Sequence, residues 1–320
     1  MFLLISCVGL LIRTLGFEAT SADLEQCLTV WMDELSAGNG LSGLSNYTGD
    51  YNMPYVTVLW IIAHLPFPRI ICLKLFSAVF DFVGAIAAAT LVSHFYKERF
   101  LLTYTLIYLS PITMVNSAWW GQCDMIYVAF LLLMILCLMK EKPMAAFVFL
   151  GCAFSFKLQA ILILPFVLIH YWKTKKYSAV HFLLVPAVMV ILCIPAIIAG
   201  YSPLVAFTVY ARQTGRYPYL FITYPNIWTF FAEAPYYRYQ YAGIAAMLII
   251  LGIFAYYVIS RKQSVPNKKW VTYILFTVAV SMAFLPCMHE RYGYFLEVIA
   301  IVYAILNPSK WWVAAGYYIP

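Results

Sequence analysis

Apolar runs of twelve to thirty residues follow one another along almost the whole chain, parted only by short polar or basic clusters. Such a chain has little polar surface to offer water, so each run must be buried in protein or in lipid. Mean hydropathy is +0.85, and charged side chains are 10% of the residues, against about 25% in soluble domains. A water-soluble globule is excluded. A β-barrel is disfavoured, because its strands would alternate apolar and polar residues. At about 20 residues per span the 320 residues have room for about 9 to 11 crossings. The expected fold is therefore all-α, a polytopic transmembrane helical bundle. Neither repeat, low-complexity segment nor linker divides it, which reads as a single membrane domain over 1–320.

The charges set the expected topology. Residues 17 to 53 carry Glu18, Asp23, Glu25, Asp33, Glu34 and Asp50 and no Lys or Arg, which places this loop outside the cytoplasm. Basic clusters at Lys97–Arg99, Lys140–Lys142, Lys173–Lys176, Arg261–Lys269 and at Lys310 are then cytoplasmic, so the net charge of +7 marks topology rather than nucleic-acid binding. Crossings are expected near 70–93, 101–118, 124–139, 178–199, 238–260, 270–286 and 293–307, and residues 200–237 form an outer loop. The first 16 residues, apolar but for Arg13 and lacking a basic leader, read as a short helix rather than a signal peptide. Pro54–Leu65 is only about 18 Å long as a helix and reads as an interfacial or re-entrant helix of the outer region.

Pro143–Trp172 is the exception to the count. It is about 45 Å as one helix, yet both its ends are basic and belong on one side. Two short helices meeting near Phe156-Lys157-Leu158 resolve this. Trp311–Pro320 opens a further apolar run too short to span, as though a final helix were cut short. Eight cysteines lie singly, with neither CxxC nor metal-type spacing, so a disulfide framework and a zinc site are not expected.

Charged side chains within a membrane cost at least about 2.5–3.5 kcal/mol each on insertion scales, so those present should face a cavity or a partner. Five constellations stand out. In the acidic loop, an Asp just outside the membrane can take a proton from a hydroxyl, and Asp23 and Asp50 are the candidates. Glu18, Asp33 and Glu34 read as solvated or capping acids. Asn116 to Asp124 gathers amide, indole and carboxylate, with Trp119, Trp120 and Gln122 suited to sugar hydroxyls and Asp124 to orienting or deprotonating one. An aromatic belt with a helix-capping Asp explains that segment equally.

Lys157 and Gln159 lie in an apolar stretch with no acid nearby in sequence. Lys157 calls for an anion such as phosphate, or for Asp81 or Asp124 from another helix. His289, Glu290, Arg291 and Tyr292 sit between two spans, where Arg can bind phosphate and His can move a proton, or where Glu and Arg pair. Arg212 and Arg216 are basic on the side that should lack positive charge, which fits a phosphate ligand or anionic headgroups. Asp81, inside an apolar run, reads as structural. Asn46-Tyr47-Thr48 is a glycosylation sequon on the outer loop.

The acid after the first helix, Gly49-Asp50-Tyr51-Asn52-Met53-Pro54-Tyr55, Trp120-Gly121-Gln122-Cys123-Asp124, Phe156-Lys157-Leu158-Gln159 and Met288-His289-Glu290-Arg291-Tyr292 together resemble the polytopic GT-C glycosyltransferases. More narrowly, they resemble bacterial proteins related to the second mannosyltransferase of GPI-anchor assembly. The resemblance spans most of 20–307. It implies a GT-C-like membrane enzyme, with an outer loop and juxtamembrane helix after the first span, that moves a hexose (mannose or glucose) from a polyprenyl-phosphate sugar to an acceptor hydroxyl of a glycan or glycolipid. It also implies a bacterial cytoplasmic membrane location, with the site on the outer face, and a catalytic acid in the first outer loop, here Asp23. The chain departs from the family in having a single acid there rather than a pair.

On this expectation the displacement inverts the anomeric carbon, with Asp23, or else Asp50 or Asp124, as base. Lys157, His289 and Arg291, joined by Arg212 or Arg216, hold the lipid phosphate, while Trp119, Trp120, Gln122 and Gln159 meet the sugar. The donor lipid is the co-substrate, and no obligatory cofactor or metal is expected, a divalent cation being left open. The rival is a transporter or flippase of a lipid-linked or anionic solute, which would also gather charges around a cavity. It needs access from both faces, whereas these polar residues are expected at one.

Overall fold

The computed structural model describes residues 1–213 and 217–318. Helices account for 77% of the chain. Among the described residues the one strand-like pairing is an isolated bridge between Phe221 and Met288, so the fold is all-α as expected.

In chain order the helices begin with α1 (Phe2–Thr14), a π-turn (Leu24–Leu28) running into α2 (Thr29–Ser36), α3 (Met53–Ala63), α4 (Arg69–Ser93) and α5 (Phe100–Tyr108). Then come α6 (Pro111–Met114), running into a second π-turn (Val115–Trp119), α7 (Asp124–Met139), α8 (Pro143–Phe156) and α9 (Leu164–Thr174). The rest are α10 (Leu184–Leu192), α11 (Ile194–Ile198), α12 (Val205–Gln213), α13 (Tyr236–Ser260), α14 (Asn267–Phe284), α15 (Tyr294–Leu306) and α16 (Trp312–Tyr318).

By length and apolarity α4 and α13, of 25 residues each, can cross a membrane, at about 37 Å apiece against a hydrocarbon core of about 30 Å. The pair Lys97–Tyr108 and Pro111–Trp119, bent by 48°, is a third if taken as one span. Shorter apolar helices include α1, α3, α7 and α8. This pattern is compatible with a membrane protein.

The expected break at Lys157 is present. Helix α8 ends at Phe156, Lys157 is extended (φ −152°, ψ 135°), and a 3-10 turn from Leu158 leads towards α9. Three expectations need correction. The run 101–118 is bent, because Pro111 has no N–H for the ladder and holds Ser110 extended. The run 178–199 is likewise broken, into a 3-10 turn, α10 and α11, with Pro195 opening α11. Residues 200–237 are not all loop: α12 lies there, and its buried residues Val205, Ala206 and Val209 follow the helical period.

The helices group into two compact units. Unit 1 comprises Met1–Leu158 and Ala179–Gln213, and unit 2 comprises Gln159–Ser178 and Thr214–Pro320. In unit 1, α4 packs against α7, α5 and α3. Its Gly84 lies so close to Met125 that a Cβ there would fall 2.3 Å from the sulfur, the close approach that small residues permit between membrane helices. Helix α1 runs along α5, Gly9 resting against the Tyr108 ring and Ser6 Oγ sharing a 2.7 Å hydrogen bond with Tyr104 Oη.

The two helices are clamped by Arg13. Its side chain turns back along α1, as helical side chains do. It donates to Gly9 O (3.1 Å), to Tyr108 O (2.9 Å) and, through Nε, to Asp81 Oδ2 (2.9 Å). Asp81 is the middle residue of α4, and the pair is fully buried. The structural reading of Asp81 fits this placement.

In unit 2, α14 packs against α13 and α15, and α9 packs against α13 and α14. Trp228 seats Gly243 of α13 against α14 by donating from its indole to Phe284 O at 2.8 Å.

Removing one member of a buried ion pair leaves the other uncompensated, at about 3–5 kcal/mol. Arg13→Leu and Asp81→Leu should each lower the melting temperature in detergent strongly. The double variant should recover much of that loss, and strictly additive losses would refute the coupling.

Candidate functional site

Helices α7 and α8 form a hairpin whose basic turn, Lys140 to Lys142, lies at one end. At the open end Asp124 is the first residue of α7 and Lys157 the C-cap of α8. Both placements suit the helix dipoles, acid at an N-terminus and cation at a C-terminus. Lys157 Nζ donates to Asp124 Oδ1 at 2.6 Å, with both side chains buried. Of the partners open to Lys157 in the sequence, the structure selects Asp124 rather than Asp81.

The second oxygen of Asp124 is engaged too. Asn116 Nδ2 donates to Oδ2 at 2.9 Å, and the next residue, Ser117, donates to Asp81 Oδ2 at 2.5 Å. One π-turn thus joins the Asp124–Lys157 pair to the Arg13–Asp81 pair. With Oδ1 on a cation and Oδ2 on an amide, Asp124 is placed to fix the position of Lys157.

Asp23, half-buried, precedes the first π-turn, and its Oδ2 accepts from Gln122 Nε2 at 2.8 Å. Tyr51 Oη donates to Gln122 Oε1 at 3.3 Å, which fixes the direction of the amide. The Tyr51 ring also lies 5.8 Å from Lys157 Nζ, within cation–π range. Gly121 makes the turn that aims Gln122. Its φ is +66°, and a Cβ there would fall 3.2 Å from Leu24 Cδ1. Trp120, 39% exposed, lies beside this set, and its carbonyl accepts from Ser21 Oγ at 3.0 Å. Trp119 packs on Gly16.

The acidic loop is an ordered wall. Lys74 of α4 gathers the chain leaving α1 by donating to the carbonyls of Gly16 (2.8 Å), Phe17 (3.2 Å) and Ala19 (2.5 Å). Asn52 caps α3, accepting from Met53 N at 2.9 Å, and donates to Ala206 O of α12 at 3.3 Å. Asp50 is half-buried and its carbonyl accepts from Gln213 Nε2 at 2.5 Å. Arg212, one residue earlier on α12, is exposed.

Of the sequence candidates, unit 1 therefore links Asp23, Gln122, Asp124 and Lys157 through hydrogen bonds and the Tyr51 ring, and brings Asp50 in through its neighbour Tyr51. Tyr51, Asn116 and Lys74 were not singled out as site residues. Only the side chain's direction reveals a tyrosine's or an amide's role, and Lys74 resembles any helix-end lysine until the chain is folded.

Trp119, Trp120 and Arg212 also belong to unit 1, Gln159, His289, Glu290, Arg291 and Tyr292 belong to unit 2, and Arg216 lies outside the described residues. Gln159 follows the break, in the 3-10 turn. Residues 287–290 are zippered to residues 217–224. Cys287 donates from N to Leu220 O and from Sγ to the carbonyls of Tyr217 and Tyr219, each at 3.1 Å, while Tyr224 N donates to Met288 O at 3.1 Å. These bonds hold Cys287 at φ +60°, a left-handed conformation costly for a side chain with a Cβ.

Glu290 carboxylate accepts from Thr223 Oγ1, and Glu290 N donates to the same hydroxyl at 3.0 Å. His289 sets its ring edgewise between Tyr217 and Tyr292, centroids 5.3 and 5.1 Å away. Burial lowers the pKa of the Arg291 guanidinium from its ordinary value, yet an arginine remains charged, so it is a desolvated cation. Chemically, unit 1 offers an oriented carboxylate and a fixed ammonium, and unit 2 offers a guanidinium with an imidazole two residues away.

Neither family models, curated proteins nor solved structures yield a match to this chain.

Gly121→Ala should lower stability by about 1–2 kcal/mol, the cost of left-handed backbone for an L-residue. A melting temperature unchanged from wild type would show that the turn does not need glycine.

Proposed function

We propose that the protein is an integral-membrane glycosyltransferase of GT-C type that moves a hexose from a polyprenyl-phosphate sugar to an acceptor hydroxyl at the outer face of the membrane. One observation carries this reading. Asp23, the Trp-Gly-Gln-Cys-Asp segment and Lys157, far apart in sequence, share one network through the Asp23–Gln122, Gln122–Tyr51 and Asp124–Lys157 contacts.

In this mechanism Asp23 accepts the proton of the acceptor hydroxyl as its oxygen attacks the anomeric carbon. The bond from that carbon to the phosphate oxygen breaks with inversion, and the phosphodiester leaves as a lipid phosphate bearing one more negative charge. Lys157, held by Asp124, faces that growing charge; fixed cations of this kind act most strongly where water is excluded. Gln122 and Tyr51 keep the Asp23 carboxylate in register.

The short helices fit a bundle of about 9 to 11 spans if several crossings are made of two pieces. From the basic turn at 140–142, α7 rises about 24 Å and α8 about 21 Å, short of a hydrocarbon core of about 30 Å. The Asp124–Lys157 pair then lies in a recess below the outer surface, where a lipid phosphate can be drawn in from the side.

The test uses protein in liposomes, with label followed from polyprenyl-phosphate mannose or glucose into host lipid. Wild type should transfer label, and Asp23→Asn should lose at least about a hundredfold, the usual scale for a general base. Activity retained by a folded Asp23→Asn would move the base to Asp50 or Asp124. Movement of intact donor across the bilayer with no transfer would favour the transporter. Activity should also persist in EDTA, and loss restored by magnesium or manganese would assign a metal a part in the reaction.

A further inference from the structure

Three helix ends of unit 2 meet in one place. Helix α9 closes with Lys173, followed by Lys175 and Lys176; α13 ends before Arg261 and Lys262; and α14 opens with Lys268 and Lys269. Lys173 Nζ donates to the Arg261 carbonyl, and the His170 ring of α9 lies edge-on to Trp270 of α14 at 4.8 Å. Two basic clusters some ninety residues apart in sequence thus become one surface. No Asp or Glu occurs in 159–178 or 234–289, so those segments supply no acid to neutralise it.

The surface has an aromatic rim. Lys175 Nζ sits 5.4 Å from the Trp172 ring centroid and Arg261 Cζ 4.0 Å from that of Tyr257, both rings being largely exposed. Lys175 takes a left-handed conformation (φ 53°, ψ 23°) that ends α9 abruptly and folds the cation back over Trp172. Below the rim, Ile249, Ile253 and Tyr256 lie at i, i+4 and i+7 and make an exposed apolar stripe along α13, a helix long enough to cross a membrane. Cations over an interfacial Trp and Tyr, above an apolar stripe on a spanning helix, match the order of groups in a phospholipid: charged head, glycerol, acyl chain.

We propose that this surface binds an anionic phospholipid, with its phosphate among Lys175, Lys176, Arg261 and Lys262 and an acyl chain along the α13 stripe. A zwitterionic lipid carries its own ammonium and gains less from the cations, so the site selects for net negative charge. This inference does not rest on the transferase reading.

The test compares spin-labelled phosphatidylglycerol and phosphatidylcholine at the protein in phosphatidylcholine vesicles, by electron paramagnetic resonance. Wild type is expected to favour phosphatidylglycerol by about fivefold or more, the effect of one cation at an anionic surface, and to lose most of that preference in 1 M salt. The variant carrying Lys175→Gln, Lys176→Gln, Arg261→Gln and Lys262→Gln should fall to a ratio near one. A control carrying Lys97→Gln, Arg99→Gln and Lys140→Gln should keep the preference, and matching helical circular dichroism would show that both variants are folded. No preference in wild type, or a preference surviving in the fourfold variant, overturns the proposal. So does displacement of the labelled lipid by millimolar inorganic phosphate, which would assign the surface to a soluble anion.

Discussion

A charge in an apolar interior needs a counter-charge or a set of hydrogen-bond partners, and unit 1 is arranged around two buried ion pairs. Arg13–Asp81 ties α1 to the middle of α4 and, through the Tyr108 carbonyl, to α5. Asp124–Lys157 closes the open end of the α7–α8 hairpin. The Val115–Trp119 π-turn stands between them, Asn116 reaching one pair and its neighbour Ser117 the other. Adjacent residues on a helix point in different directions, which lets one short turn serve both pairs. Displacing either pair would therefore strain the segment that also carries Gly121 and Gln122.

The same arrangement divides the labour among the acids. Asp81 is fully buried, with Arg13 and Ser117 both on Oδ2. Asp124 spends one oxygen on a lysine and the other on an amide. Asp23 is half-buried, with the Gln122 amide on Oδ2, so it is the most accessible of these three acids. That gradation, from sealed to accessible, is the physical basis for giving Asp23 the base's role and Asp124 the anchor's in the proposed reaction.

Much of the helix layout was legible in the sequence because hydropathy and charge are sufficient to express it. The break at Lys157 followed from two basic clusters that had to lie on one side of an overlong apolar run. The short helix at Met53–Ala63 followed from its length. The bend at Ser110–Pro111 and the pieces at 179–198 were missed, since an apolar run interrupted by proline still counts as apolar. Helix α12 was missed because its buried face is only Val205, Ala206, Val209 and Tyr210, in a stretch otherwise rich in polar residues. In the site, charged candidates were visible because charge in an apolar stretch is conspicuous. Tyr51 was not, because one tyrosine among 26 carries no mark of its role until its hydroxyl is seen on Gln122.

The spacing of the two ion pairs bears on the order in which the helices can be fixed during synthesis. Asp124 and Lys157 are 33 residues apart on adjoining helices, so the two charges can neutralise each other as soon as α8 has been made. Arg13 and Asp81 are 68 residues apart. Arg13 therefore leaves the ribosome well before its partner, and α1 cannot settle against the centre of α4 until that helix is complete. Its contacts are complete only once α4 and α5 have followed, so the first helix to be made is locked in place after the helices that come next.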